Sequence, residues 1–206
     1  EPERRRLTSV ELVTRIAFFL TDAPPTAAMI DDAEERARAG RYPSEDELRE
    51  LARDLLRRPE AREALAGFFA ELFRLEQLRS VAKDETRFPE WSPELAQAMY
   101  DSAQALLADV VWFRDADARE IMNADFAYVN ETLAPLFGLD VDTVGLSKVT
   151  LPEGQYRRGL MAQPAMMSLL SAADQTSPTR RGVFVRRVLM CDTIPPPDPD
   201  AELELP

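Results

Sequence analysis

Apolar residues recur along this chain with the 3.6-residue period of helices, in blocks separated by proline and glycine. The first block carries Leu12, Ile16, Phe19 and Leu20 behind Thr8-Ser9-Val10-Glu11, which has capping-box spacing, and Pro24-Pro25 stops it. Residues 26–39 read as a second helix closed by Gly40. Ser44-Glu45-Asp46-Glu47 repeats the capping-box spacing and opens a third, with Leu48, Leu51, Leu55 and Leu56 inward. Pro59 then sits where a first helical residue belongs, ahead of one long apolar-striped run over 64–81.

Residues 83–91 read as a loop, and Ser92-Pro93-Glu94 as a strong helix start, with that helix running to about Trp112. Two short helices are expected over 117–122 and 129–137, the second closed by Gly138. From 139 to 158 the periodicity fails. This leaves the one stretch able to hold a short β-hairpin, near residues 147–160 around Val149-Thr150-Leu151. Residues 164–170 and 178–190 give the last helices, the latter capped by Ser177 with Pro178 at its first position, and 194–200 reads as a Pro-rich extended segment. The predicted fold class is all-α, an irregular bundle of about eight helices with Pro-rich turns. Its expected organisation is an N-terminal helical subdomain over 1–65, a central helical domain over 66–145, and a C-terminal helical segment with a Pro-rich tail over 146–206.

Composition narrows the chemistry. The 206 residues are 45% apolar and 30% charged, a balance that suits a globular chain burying roughly 70% of its unfolded surface without metal or disulfide staples. The 37 acidic and 25 basic residues leave a net charge of −12, a field that repels phosphate backbones and anionic lipid. No apolar run approaches the ~20 residues of a membrane span. Nucleic-acid binding and membrane insertion are therefore not expected. Histidine is absent, which removes from these residues a Ser-His-Asp triad, a Cys-His pair and a histidine-ligated zinc. Cys191 is the single cysteine, so it reads either as a buried thiol or as half of a pair completed elsewhere. No cofactor is expected in this chain. Its opening at Glu1-Pro2-Glu3 and end at Pro206 read as the edges of a piece of a larger protein.

The most polar constellation is Asp174-Gln175-Thr176-Ser177-Pro178-Thr179-Arg180-Arg181-Gly182. Hydroxyls at a helix start and paired arginines suit a carboxylate or sulfate, while the plainer alternative has Ser177 capping and an arginine pairing with Asp174. A nucleophilic serine is disfavoured there, with no histidine in the chain and no lysine nearby in sequence. Asp125 and Asn130, flanking Phe126 and Tyr128, read either as ligand-orienting groups or as caps. The candidate ligand-binding set is Asp125, Asn130, Gln163, Asp174, Thr176, Ser177, Arg180 and Arg181, and catalytic residues are not assignable. Asp140-Val141-Asp142-Thr143 lacks the glycine and distant glutamate of a calcium loop and reads as a solvated turn. Trp91, Trp112, Phe113, Phe126 and Tyr128 read as core anchors, and Arg4-Arg5-Arg6 and Arg57-Arg58 as solvated charge.

Three stretches carry a resemblance. The first is Leu7-Thr8-Ser9-Val10-Glu11-Leu12-Val13-Thr14-Arg15-Ile16-Ala17-Phe18-Phe19-Leu20. The second runs from Arg87-Phe88-Pro89-Glu90-Trp91 to Ala124-Asp125-Phe126-Ala127-Tyr128-Val129-Asn130-Glu131. The third joins Arg158-Gly159-Leu160-Met161-Ala162-Gln163, Thr176-Ser177-Pro178-Thr179-Arg180-Arg181-Gly182 and Pro195-Pro196-Pro197. Together they resemble a group of domains of unknown function, numbered 1595, 1592 and 1588, found in large secreted proteins of planctomycetes and myxobacteria, often beside a cytochrome c domain. The resemblance implies an extracytoplasmic (periplasmic or secreted) location and a larger parent protein whose other domains, with a cytochrome-type partner, are the expected contacts. It implies no activity and no haem in this chain. Two functions remain open: a non-catalytic helical interaction or scaffold module, or part of an extracytoplasmic enzyme acting on polymeric or carbohydrate substrates near 174–181. A deep pocket joining that stretch to Asp125 and Gln163 would favour the enzyme.

Overall fold

A computed structural model describes residues 6–141 and 144–196. Arg4, Arg5, Asp142, Thr143 and the tail from Pro197 onward, all named above, lie outside the described residues. The helices are α1 (Ser9–Thr21), α2 (Ala27–Arg38), α3 (Glu45–Leu56), α4 (Pro59–Leu72), α5 (Pro93–Ala108), α6 (Glu120–Asn123), α7 (Pro164–Leu169) and α8 (Pro178–Phe184). A two-stranded antiparallel sheet joins β1 (Phe126–Val129) to β2 (Ser147–Thr150). The fold is an irregular all-α bundle, as the periodicity predicts, with one small sheet among the described residues.

The chain divides into two compact units, Glu1–Phe69 and Ala70–Pro206. In the first, α1 packs on α2 and α3, with Val13, Ala17, Ala33 and Leu55 buried. Both capping boxes form. Thr8 Oγ1 accepts the Glu11 N–H at 3.2 Å while the Glu11 carboxylate accepts the Thr8 N–H at 2.8 Å. Ser44 and Glu47 repeat the exchange, and these bonds, the Ser44 N–H foremost, hold the Glu47 carboxyl down at about 2.

The second unit is built on α5, which packs against β1, α7 and a 3₁₀ turn at Leu75–Ser80. Leu95, Met99, Ala103, Leu106 and Leu107 are its buried stripe. The run expected over 64–81 is not one helix. It breaks after α4, where Arg74 takes a left-handed conformation (φ 57°), and resumes as the 3₁₀ turn. The three-residue repeat of that turn puts Leu75 and Leu78 on one face, and both are fully buried. A second difference concerns 129–137. Only Ala134–Phe137 is helical, as a 3₁₀ turn closed by left-handed Gly138, and Val129 belongs to β1. Phe126 and Val129 are buried with Ala127 between them, and a short apolar run of aromatic and β-branched residues suits a strand as readily as a helix. The hairpin expected near 147–160 supplies one strand, Ser147–Thr150, whose partner is not a later segment but β1, in the register Phe126↔Thr150 and Val129↔Ser147.

Both proline-led helices start as expected. Ser92 Oγ accepts the Leu95 N–H at 3.1 Å and Ser177 Oγ the Arg180 N–H at 3.3 Å. Replacing either serine with alanine is expected to destabilise the chain by about 0.5–2 kcal/mol, read from denaturant melts. Two melts superimposing on wild type would show that these hydroxyls are not the caps.

Candidate functional site

A buried polar cluster lies where α5 gives way to a π-helical turn, Asp109–Phe113. Asp109 is 6% exposed. Its Oδ2 accepts from Arg114 Nε at 2.6 Å and Lys148 Nζ at 2.9 Å, and its Oδ1 from Tyr128 Oη at 3.0 Å. Arg114 in turn grips Glu120 with two N–H groups, at 2.7 and 3.1 Å. Lys148 Nζ also stands 3.9 Å from the Phe126 ring centre, a cation–π distance. Burial alone would raise the Asp109 pKa. The hydrogen bonds from Lys148, Arg114 and Tyr128 outweigh it and hold the carboxyl below its ordinary value. Tyr128 is pushed up, by burial and then by Asp109. Each polar group here has a partner within the cluster, which ties β1 and β2 to the end of α5. A charge inside the apolar run Leu106-Leu107-Ala108-Asp109-Val110-Val111 was the available signal, because a charged side chain on a buried face is almost always paired.

Among the described residues no side-chain bond joins the residues singled out from the sequence to this cluster, and the bonds within that set are local ones at the start of α8. Asp125 is exposed, and its carbonyl accepts the Leu151 N–H at 2.7 Å. Asn130 Oδ1 caps the Leu133 N–H at 3.0 Å. Gln163, 1% exposed, heads α7 with neither side-chain amide atom bonded among the described residues. Asp174 and Thr176 are exposed. Arg180 and Arg181 make no ion pair with Asp174 among the described residues. Arg180 Nη1 donates to the Ser171 carbonyl at 2.7 Å and Arg181 Nη1 lies 3.3 Å from Met167 Sδ. Cys191 is exposed, which removes the buried-thiol alternative, and its left-handed backbone (φ 52°) ends the last helical segment.

A lysine distant in sequence does reach this region. Lys83 Nζ bonds the carbonyls of Ser168 (3.0 Å) and Ala172 (2.9 Å) and Ser171 Oγ (2.6 Å). Burial, and Arg180 nearby, hold its ammonium below the ordinary lysine value. The spacing is that of a Ser–Lys catalytic pair, but the bonding is not. An ammonium donating to three acceptors has no lone pair to take a proton, and the Ser171 hydroxyl itself donates to Ser168 O at 3.1 Å. Lys83 closes the carbonyl end of α7.

Beside that end lies a cleft of about 280 Å³. Phe73 and Phe184 form its floor, each 4% exposed, with ring centres 6.4 Å apart. Leu169 adds to the floor, and Arg74, Arg180 and Arg187 stand around it. Of these lining residues only Arg180 belongs to the candidate set legible in the sequence.

A model of a family described as protein of unknown function DUF1592, named PSD4, matches residues 7–139. The chain belongs to this family. A second model, protein of unknown function DUF1588, named PSCyt3, matches residues 157–206. No curated protein and no solved structure matches the chain. The DUF1592 segment contributes Phe73 and Arg74 to the cleft and the DUF1588 segment Leu169, Arg180, Phe184 and Arg187, so both matched segments build one concave surface.

Proposed function

We propose that this DUF1592 member is a non-catalytic helical interaction module of a larger secreted multidomain protein, working beside a cytochrome-type domain. The observation that carries this reading is the state of Asp109. Among the described residues it is the only buried ionisable side chain, and its carboxylate is held by three internal donors. A general acid or base needs an accessible proton site with a shifted pKa, and this one is closed. The alternative, part of an extracytoplasmic enzyme on polymeric or carbohydrate substrates, needs Asp125 and Gln163 beside 174–181; the Asp125 carbonyl bonds Leu151, the Gln163 amide bonds nothing among the described residues, and Arg180 bonds the Ser171 carbonyl.

The family name PSCyt3 supports the cytochrome association. A net charge of −12 suits a basic protein partner and disfavours nucleic acid. Among the described residues no helix is long and apolar enough to cross a membrane, which fits an extracytoplasmic domain without insertion. On this reading any haem belongs to a neighbouring domain. Cross-linking mass spectrometry on the full-length parent protein, purified from its host after cell fractionation, tests the proposal. Expected are links from residues 7–139 to a haem-bearing domain, in protein recovered outside the cytoplasm. Recovery in the cytoplasm, or links confined to this chain, would overturn it.

A further inference from the structure

We propose that the cleft floored by Phe73 and Phe184 binds a small monocarboxylic acid with an apolar body, such as a medium-chain aliphatic acid. The inference goes beyond the docking role and stands whether or not a cytochrome-type partner exists. Three observations select this chemistry. The first is sign: in a chain with 37 acidic residues, no carboxylate lines the cleft, while Arg74, Arg180 and Arg187 do. None of the three pairs with an acidic side chain among the described residues, so an arriving anion displaces no internal partner. Guanidinium groups bind a carboxylate with two parallel N–H bonds.

The second is shape. The floor is aromatic and aliphatic, which an inorganic phosphate or sulfate would not use, and the volume of about 280 Å³ sits at the lower end of ligand pockets. It suits one short apolar body. The third is the backbone at Arg74. Its φ of 57° follows α4 at a position where glycine would be unstrained and arginine is strained. Only the side chain distinguishes the two residues there, and this one lines the cleft. Arg180 is already oriented, since its bond to the Ser171 carbonyl at 2.7 Å uses one N–H and leaves the others for a ligand.

The test is calorimetric titration of the whole chain with sodium octanoate, with octan-1-ol, octylamine and sodium acetate as probes of body and head group. Octanoate should bind saturably at one site, and the three controls should bind more weakly. Charge reversal at Arg180 and Arg187 together should lower octanoate affinity at least about tenfold, the loss of charged hydrogen bonds, with the melting temperature retained. Arg74→Gly separates binding from folding, because it should weaken octanoate while leaving the melting temperature equal or higher. Octan-1-ol binding as tightly as octanoate, or octanoate binding unchanged by the double reversal, would refute the site. Binding of an acidic Leu/Glu peptide without octanoate would also refute it, in favour of a protein-docking groove.

Discussion

Gly159→Ala is expected to unfold the second unit under conditions where the native chain is folded. A Cβ there would stand 2.0 Å from the Met122 carbonyl oxygen, 2.3 Å from its carbon and 2.8 Å from the Asn123 nitrogen. All three are backbone atoms, so no rotamer change relieves the clash. Gly159 also has φ 67° and ψ 167°, a region that essentially only glycine occupies. Its N–H donates to the Ala124 carbonyl at 2.8 Å, so moving the segment away breaks a bond that holds it. The loss should exceed about 4 kcal/mol, the exceptional end for a point substitution. Gly138→Ala is the control: its φ is +64°, yet nothing lies within 4 Å of the added carbon. That variant should lose only about 1–2 kcal/mol of left-handed strain. Equal denaturant midpoints for the two variants would sink the close-approach account.

Asp109→Ala carries the second large expectation, a loss of about 3 kcal/mol. Breaking a buried ion pair by removing one partner typically costs about 3–5 kcal/mol. The low end applies because the Lys148 and Arg114 side chains are 39% and 36% exposed and regain water. The pH dependence follows from the direction of the shift. The folded carboxyl titrates below its ordinary 3.8, so its contribution is complete above that value and is lost as pH falls through the lower folded value. Melts of wild type and variant should therefore converge in strong acid. Asp117→Ala, which removes an exposed carboxylate paired with Arg119, should scarcely move the melt at any pH. A constant gap between wild type and Asp109→Ala down to the acid limit would mean the loss is one of packing, not charge.

Why some of this architecture is legible in the residues and some is not follows from sequence distance. A cap is decided within three residues, and Thr8, Ser44, Ser92 and Ser177 each accept the N–H three positions on. The helix boundaries they set are accordingly readable. Strand β1 is not, because Phe126-Ala127-Tyr128-Val129 becomes a strand only by pairing with residues 147–150. Arg74 is a good helix former, so nothing local marks the break there. The break goes with burial of Leu75 and Leu78 in the core. The polar clusters follow the same rule. Asp109 meets Tyr128 and Lys148 across 19 and 39 positions, and Lys83 reaches Ser171 across 88. Arg180 is legible because its neighbours in sequence are also polar. Its companions in the cleft lie elsewhere along the chain, Arg74 between Phe73 and Leu75 and Arg187 after Arg186, and nothing local ties either to Arg180.

The π-helical turn after α5 sets how this helix end tolerates change over time. The Arg114 N–H closes onto the Asp109 carbonyl at 3.0 Å, five residues back, and the Arg114 side chain reaches the Asp109 carboxylate from the same offset. Deleting one residue between them would restore an α-helical count and swing every later side chain by about 100° around the axis. Arg114 and Glu120 would turn together and keep their pair, while Asp109 at the end of α5 would lose its present alignment with Tyr128 and Lys148. Substitutions at the exposed Phe113 leave that count intact, whereas a single-codon deletion does not. Descendants of this chain can thus change the side chain at position 113, but not Asp109 and not the length of the turn.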